Sequence, residues 1–242
     1  MEYALVTGAD RGLGLGFVRQ LLLKGFTVFA GRYASDWQGL SELKQQYGEQ
    51  LHIIELNVAE DASVMEASRL VALHTDKLDI VINNAAILGD IEASVVDELD
   101  FDEMLNVFNV NTLGALRVSN AFAQLVLASG SKLIVNISSE AGSIEDSTRT
   151  SWFGYCMSKA ALNMQSKLVY NRIKEGGGHV LVLHPGRVQT YMQGKLDADG
   201  DFTPDRSAIA LIEMMERQLV EVKSGARPEL MLLNPDGSQR PW

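Results

Sequence analysis

The sequence predicts an α/β fold, a doubly wound parallel sheet of about seven strands with helices on both faces. Three observations carry this. Short β-rich apolar runs alternate with longer helical patterns from one end of the chain to the other. The runs are almost continuously apolar, as in strands covered on both faces. Glycines follow the first run directly, where a first parallel strand hands over to a helix.

The first run, Tyr3–Val6, leads through the glycines into a helical pattern over Leu13–Lys24. Thr27–Ala30 is the second strand, and a helix over Trp37–Tyr47 follows it. His52–Leu56 and Ile80–Ile82 flank a helix over Ala62–His74. A long pattern, Phe101–Ser129, precedes the fifth strand, Leu133–Ile137. The helix Tyr155–Lys174 stops at Gly176-Gly177-Gly178 before the strand Val180–Leu183. A last helix, Asp205–Glu221, leads to Glu229–Leu233. Strand–helix–strand repetition implies parallel strands joined by right-handed crossovers. No linker rich in Pro or Gly divides the chain, so residues 1–242 are expected to form one domain. Two irregular segments, Glu140–Gly154 and Pro185–Pro204, leave strand carboxyl ends, where such sheets bind ligands. Both are lid or pocket candidates.

Composition narrows the function. The 242 residues are 46% hydrophobic, enough for a sizeable core. A formal charge of −10 argues against nucleic acid or an anionic membrane as partner, because both need a basic footprint. The single Cys156 excludes an internal disulfide framework and fits a reducing compartment. No leader pattern opens the chain, and no apolar stretch approaches the roughly 18 residues of a membrane span. The expected setting is cytoplasmic. His52, His74, His179 and His184 have no metal-ligand spacing. Asp197-Ala198-Asp199-Gly200-Asp201 has its glycine misplaced for a calcium loop and no closing glutamate. No metal site is expected.

The glycines point to a dinucleotide. Gly8, Gly12 and Gly14 supply a sharp turn after the first strand, with backbone amides open to a pyrophosphate and a helix N-terminus aimed at it. The spacing is G-x-x-x-G-x-G, which differs from the general G-x-G-x-x-G fingerprint. An NAD site places an acid about 20 residues beyond the glycines, at the end of the second strand. Here that strand runs into Gly31-Arg32-Tyr33, with no acid until Asp36. Arg32 offers a cation where the 2′-phosphate of NADP lies, and Arg11 in the glycine turn adds a second. NADP(H) is the expected cofactor.

Tyr155 and Lys159 are four residues apart and share one helix face. A phenol of ordinary pKa about 10 is a reluctant acid or base at neutral pH. A nearby ammonium favours the phenolate and brings it towards the working range. A serine in Asn136-Ile137-Ser138-Ser139, at the end of the fifth strand, is placed to orient a substrate oxygen.

These motifs resemble those of the short-chain dehydrogenase/reductase family along the whole chain. Thr7-Gly8-Ala9-Asp10-Arg11-Gly12-Leu13-Gly14 resembles its cofactor turn, and Asn83-Asn84-Ala85-Ala86 its Asn-Asn-Ala-Gly segment. Asn57 and Val58 follow the third strand near the adenine position, with Asn57 replacing the usual aspartate. Asn111 falls at the helix asparagine that completes the family's catalytic tetrad through a water near the lysine. Tyr155 and Lys159 match the active tyrosine and lysine, and the pattern Ser-Ser-x-x-Gly assigns the serine to Ser139. Pro185, Gly186, Val188 and Thr190 match the segment that contacts the nicotinamide. Gly142-Ser143-Ile144, Ser158 to Asn163, His184 to Thr190 and the closing Pro235 to Trp242 resemble the C-factor-like and sniffer-like carbonyl reductases. Ala86 for glycine and Tyr191 after Thr190 are further departures at the pocket.

The resemblance implies an NADP(H)-dependent oxidoreductase that interconverts a small-molecule carbonyl and its alcohol, with Tyr155 as general acid/base. The alternative it implies is a nucleotide-binding signalling protein with little turnover. It also implies a homodimer through the helices Phe101–Ser129 and Tyr155–Lys174. Phe108, Leu116, Met164 and Leu168 add apolar surface beyond what one sheet face covers.

Overall fold

In the computed structural model, which describes residues 1–226 and 229–242, strands and helices alternate as the sequence predicts. The first half runs β1 (Tyr3–Val6), α1 (Gly12–Leu23), β2 (Thr27–Arg32), α2 (Gly39–Tyr47), β3 (Leu51–Glu55), α3 (Asp61–Ala72) and β4 (Ile80–Asn83). The second half runs α4 (Phe101–Phe108), α5 (Ala115–Leu127), β5 (Leu133–Ile137), α6 (Phe153–Ile173), β6 (His179–Leu183), α7 (Pro204–Lys223), β7 (Leu232–Leu233) and β8 (Gln239–Arg240). The strands form one sheet in the order β3-β2-β1-β4-β5-β6-β7-β8. All neighbours pair in parallel except β7 with β8. Strand order reverses between β1 and β4, and such a switch point opens a crevice at the strand carboxyl ends.

Alternate residues of each strand enter opposite layers. Val6, Ala30, Ile82, Val135 and Leu183 pack with Phe17 and Leu21 of α1 and Leu211 and Met215 of α7. Leu5, Phe29, Val81, Ile134 and Val182 pack in the other layer with Val64 and Val71 of α3 and Phe122 of α5. Two apolar layers explain why the strands read as unbroken hydrophobic runs. A polar chain also crosses the buried sheet. Asn83 Nδ2 donates to Asn136 Oδ1 at 2.8 Å and to Ser119 Oγ at 3.0 Å, and Asn136 Nδ2 donates to Ser166 Oγ at 2.7 Å.

Two expectations are corrected. The stretch Phe101–Ser129 is not one helix: α4 and α5 are separated by a π-helical turn, Asn109–Gly114. The Asn111 side chain binds both backbone groups of Ile87, which fixes the widened turn inward. Gly114 also lies so close to Val58 that a Cβ there would fall 2.8 Å from its Cγ2. The periodicity of the flanking helices continues through this turn, so the sequence pattern hides it. The last predicted strand is also shorter, Leu232–Leu233 alone. It turns through Pro235-Asp236-Gly237, with Gly237 at φ +86°, into β8, which was not foreseen.

The polar chain gives a stability test. Asn136→Ala leaves Asn83 Nδ2 without its closer acceptor and Ser166 without its donor inside the sheet, which costs about 1–3 kcal/mol. Urea unfolding should show a lower midpoint with an unchanged slope.

Candidate active site

The site grows from the turn between β1 and α1. Gly8 sits at φ +62°, and a Cβ on it would meet Ala85 Cα at 2.8 Å. A Cβ on Gly14 would fall 2.1 Å from the Gly8 carbonyl oxygen. Both positions therefore require glycine. The Thr7 hydroxyl accepts from the amides of Asn84 and Ala85, each at 3.0 Å, while Asn84 Nδ2 donates to the carbonyls of Thr7 and Gly8. The glycine turn and the Asn84–Ala86 segment are thereby locked side by side. Arg11 precedes α1 without a side-chain cap, so its first amides keep their hydrogen-bonding capacity for an anion.

Asp10 closes the turn against β2. Its carboxylate accepts from the amides of Tyr33 at 2.7 Å and Ala34 at 3.0 Å. Burial raises its pKa, opposed by these hydrogen bonds. Arg32 is placed differently from the expectation. Its guanidinium is drawn onto Glu55, its register partner on β3, with Nε 2.9 Å from Oε1, and it does not line the cleft. A carboxylate directly across the strand pair is the physical reason, and a reading along one strand does not see it. Arg11 is the cation on the cleft wall here, 4.9 Å above the Trp37 ring, which in turn meets Tyr191 at 5.1 Å. The Asn57 side chain caps its own turn, donating to Glu60 at 2.8 Å and accepting from the Ala59 amide at 3.1 Å.

The reacting groups converge from β5 and α6. Ser138 Oγ donates to Asn163 Oδ1 at 2.6 Å and is committed to α6. Ser139 Oγ instead faces Tyr155, accepts from the Ala141 amide at 3.1 Å and donates to Glu140 Oε2 at 2.7 Å. Lys159 lies one helical turn beyond Tyr155, with Nζ 5.5 Å from its ring centroid and donating to the Ile137 carbonyl at 2.8 Å. Burial lowers the Lys159 pKa to about 7. Burial raises that of Tyr155 well above its ordinary value; the Glu140 carboxylate adds to the rise and the Ser139 hydroxyl opposes it. The Asn111 side chain does not line the cleft. It donates to Ile87 at 2.8 Å and to Ser158 at 3.0 Å, tying the turn after α4 to the residue before Lys159.

One cleft of about 1140 Å³ is lined by every other sequence-predicted residue. Gly8, Asp10, Arg11, Gly12, Leu13, Gly14, Asn57, Val58, Asn84, Ala85 and Ala86 line it. Ser139, Tyr155, Lys159, Pro185, Gly186, Val188 and Thr190 line it with them. Glu140, Arg149, His184 and the hairpin residues Asn234 and Arg240 also line it and were not foreseen as site residues. Adjacency to Ser139 and to Pro185 is a signal for Glu140 and His184, and the expected pocket segment Glu140–Gly154 is one for Arg149; Arg240 has none. Trp152 holds a left-handed backbone, φ 68° and ψ 30°, and meets Tyr155 edge-on at 6.1 Å. Such a conformation in a bulky residue costs on the order of 1–3 kcal/mol and concentrates at functional sites.

The arrangement fits a dinucleotide. The glycine cradle is one that a Cβ would fill, the uncapped helix end suits a pyrophosphate, and the cleft runs on to Tyr155 and Lys159. Among the described residues, no group of three His, Cys, Asp or Glu side chains is placed to hold a metal, and no helix is long and apolar enough to cross a membrane.

Known proteins agree with this geometry. The sequence profile of the short chain dehydrogenases matches residues 2–201. Estradiol 17-beta-dehydrogenase 2 of Mus musculus is 31% identical over 196 residues, 80% of this chain, which spans about half of that protein. The C-signal protein of Myxococcus xanthus is 31% identical over 170 residues, 69% of this chain and 95% of its own. The solved NADPH-bound carbonyl reductase from chicken fatty liver superposes with a TM-score of 0.85 at 31% identity, covering 100% of this chain and 99% of its own. With most of its length matched in sequence and all of it in structure, the chain belongs to the short-chain dehydrogenase/reductase family.

Proposed function

We propose that the chain, as one dinucleotide-binding domain over residues 1–242, is an NADP(H)-dependent carbonyl reductase acting on a small ketone or aldehyde. The observation that carries this is Tyr155 beside Ser139 and Lys159, in the same cleft as the glycine turn. The likeness to a carbonyl reductase solved with NADPH supports it. When bound, the nicotinamide supplies the hydride that reduces the carbonyl carbon. Tyr155 gives its proton to the carbonyl oxygen as the C–O bond becomes an alcohol. Ser139, whose hydroxyl faces Tyr155, orients that oxygen. Lys159, with further N–H groups beyond its bond to Ile137, holds the cofactor ribose and, when charged, eases loss of the phenolic proton. Asn111 holds the Ile87 segment and the start of α6 in place for the proton path.

The C-signal likeness keeps a second reading open, a nucleotide-binding signalling protein with little turnover. NADPH oxidation followed across a panel of ketones and aldehydes separates the two, since the signalling reading expects binding without oxidation. Tyr155→Phe should lower turnover by at least 10²–10⁴-fold while NADPH binding persists. Lys159→Ala should damage both. Near-normal turnover in Tyr155→Phe would sink the mechanism.

Cofactor choice turns on an exchange at Arg32. The 2′-phosphate must compete with Glu55 for this guanidinium, with Arg11 assisting. A charge-assisted contact contributes about 1.5–3 kcal/mol, or roughly ten- to a hundredfold in affinity. Glu55→Gln should therefore raise the NADPH over NADH preference, and Arg32→Asp should lower or invert it. Titration of both cofactors by fluorescence decides; equal ratios in all three proteins would clear Arg32 of the role.

The same reading includes a homodimer. Leu116, Met164 and Leu168 are exposed on α5 and α6, joined by Phe101, Leu105 and Met157, while Phe108 is half-buried and contributes less than expected. A second copy laid on this face would remove the apolar patch from water. Light scattering at micromolar concentration should give twice the chain mass, and Leu168→Glu should reduce it to one; a monomeric parent overturns the assembly.

A further inference from the structure

Glu140 lines the cleft directly after Ser139, yet the mechanism above gives it no part. Its carboxylate is hydrogen-bonded from two elements and approached from a third. Ser139 Oγ donates to Oε2 at 2.7 Å, Arg149 donates to Oε1 from the segment before α6, and His184 Nδ1 lies 3.6 Å from Oε2 at the end of β6. Burial alone would raise the Glu140 pKa, but the Ser139 hydrogen bond, with His184 and Arg149, outweighs it and holds the carboxyl below its ordinary value. Burial lowers the pKa of His184, with Arg240 acting in the same direction and Glu140 against. At neutral pH the Glu140 carboxylate is therefore ionised, and although Arg149 pairs with it, its negative charge acts on the phenol of Tyr155 more strongly than the Arg149 cation does. The other groups facing Tyr155 are Arg149, Lys159 and Cys156.

Ser139 has one hydroxyl proton; it donates to Glu140 Oε2, and so is drawn away from the Tyr155 oxygen that it would otherwise help to ionise. A substrate carbonyl reaches that proton only by drawing it from the carboxylate. Tyr155 is then the donor that stands ready, and a neighbouring anion disfavours its phenolate. Resting on the acid role of Tyr155 set out above, we propose that Glu140 is a positioning residue for this reaction, its carboxylate claiming the Ser139 proton and keeping the proton of Tyr155 in place. Glu140 leaves the equilibrium between carbonyl and alcohol untouched. It extends to higher pH the range in which Tyr155 acts as an acid, and it confines alcohol oxidation, which needs the phenolate, to more alkaline solution.

The test is a titration of Tyr155 by phenolate absorbance with NADP⁺ bound, each protein read against the same protein carrying Tyr155→Phe. Glu140→Gln should lower the midpoint by about one unit, the shift that one nearby charge produces. Arg149→Gln should raise it, because a cation is lost and Glu140 is left unopposed. Glu145→Gln, on the same segment but exposed, should leave it in place. The high-pH arm of kcat/KM for ketone reduction should move with the midpoint. An unchanged or raised midpoint in Glu140→Gln overturns the inference. So does a fall in both Glu140→Gln and Arg149→Gln, which loosened packing would give. Absence of turnover by the parent overturns the functional reading instead, and the titration still decides the role of Glu140.

Discussion

At the end of β1 the Thr7 hydroxyl accepts two amides from the segment that follows β4, and on that pair of hydrogen bonds the site is built. It lies where strand order reverses, so it sets the gap that an open α/β sheet offers to a ligand. Asn84 returns the contact by donating to the carbonyls of Thr7 and Gly8. The carbonyls of Thr7 and Gly8 are thus satisfied from within the protein, and the start of α1 is left to interact outward. A buried amide that loses its partner costs about as much as a lost hydrogen bond, which makes this junction intolerant of change.

Position in the second half of the site is obtained differently. The buried face of α6 carries Ser158, Lys159, Asn163, Gln165 and Ser166 besides apolar residues. Ser166 receives Asn136 from β5, Asn163 receives Ser138, Ser158 receives Asn111, and Lys159 reaches the Ile137 carbonyl. Directional bonds fix a helix along and around its axis more tightly than apolar contact does, and satisfied buried networks specify a single arrangement. Tyr155 inherits that precision. Ionisable groups brought this deep into the protein are also the ones whose proton affinities move furthest.

Most of this was legible in the sequence because it follows from local chemistry. Unbroken apolar runs declared parallel strands, and Gly8 and Gly14 declared a turn that no side chain fits. The four-residue spacing put Tyr155 and Lys159 on one helix face. What escaped depended on contacts between distant positions. Nothing near Arg32 in the chain announces that Glu55 stands opposite it, since that follows from strand register. The π turn at Asn109–Gly114 is stabilised by Ile87, and the periodicity of its flanks conceals it. Arg149 comes from the segment before α6, legible as a pocket element only as a whole, and Arg240 comes from β8, a strand that the sequence pattern does not show. Glu140 opens the segment Glu140–Gly154 that the sequence marks as a pocket candidate, yet its own part stays hidden because the family motif leaves that position unspecified.

One part of the cleft wall is shared by two stretches far apart in the chain, the segment before α6 that carries Arg149 and the hairpin that carries Asn234 and Arg240. Arg240 on β8 holds Asp146 at 2.7 Å, and the Glu145 amide donates to the Trp242 carbonyl at 3.2 Å. Neither stretch has a shape of its own that the other does not help to set. Divergence in what this cleft accepts would then have to proceed by paired changes, with the hairpin and the loop before α6 drifting together while the sheet beneath stays constant. Chimaeras that carry one of the two from a relative would inherit a mismatched wall, and selectivity would travel between such proteins only when both are moved as a unit.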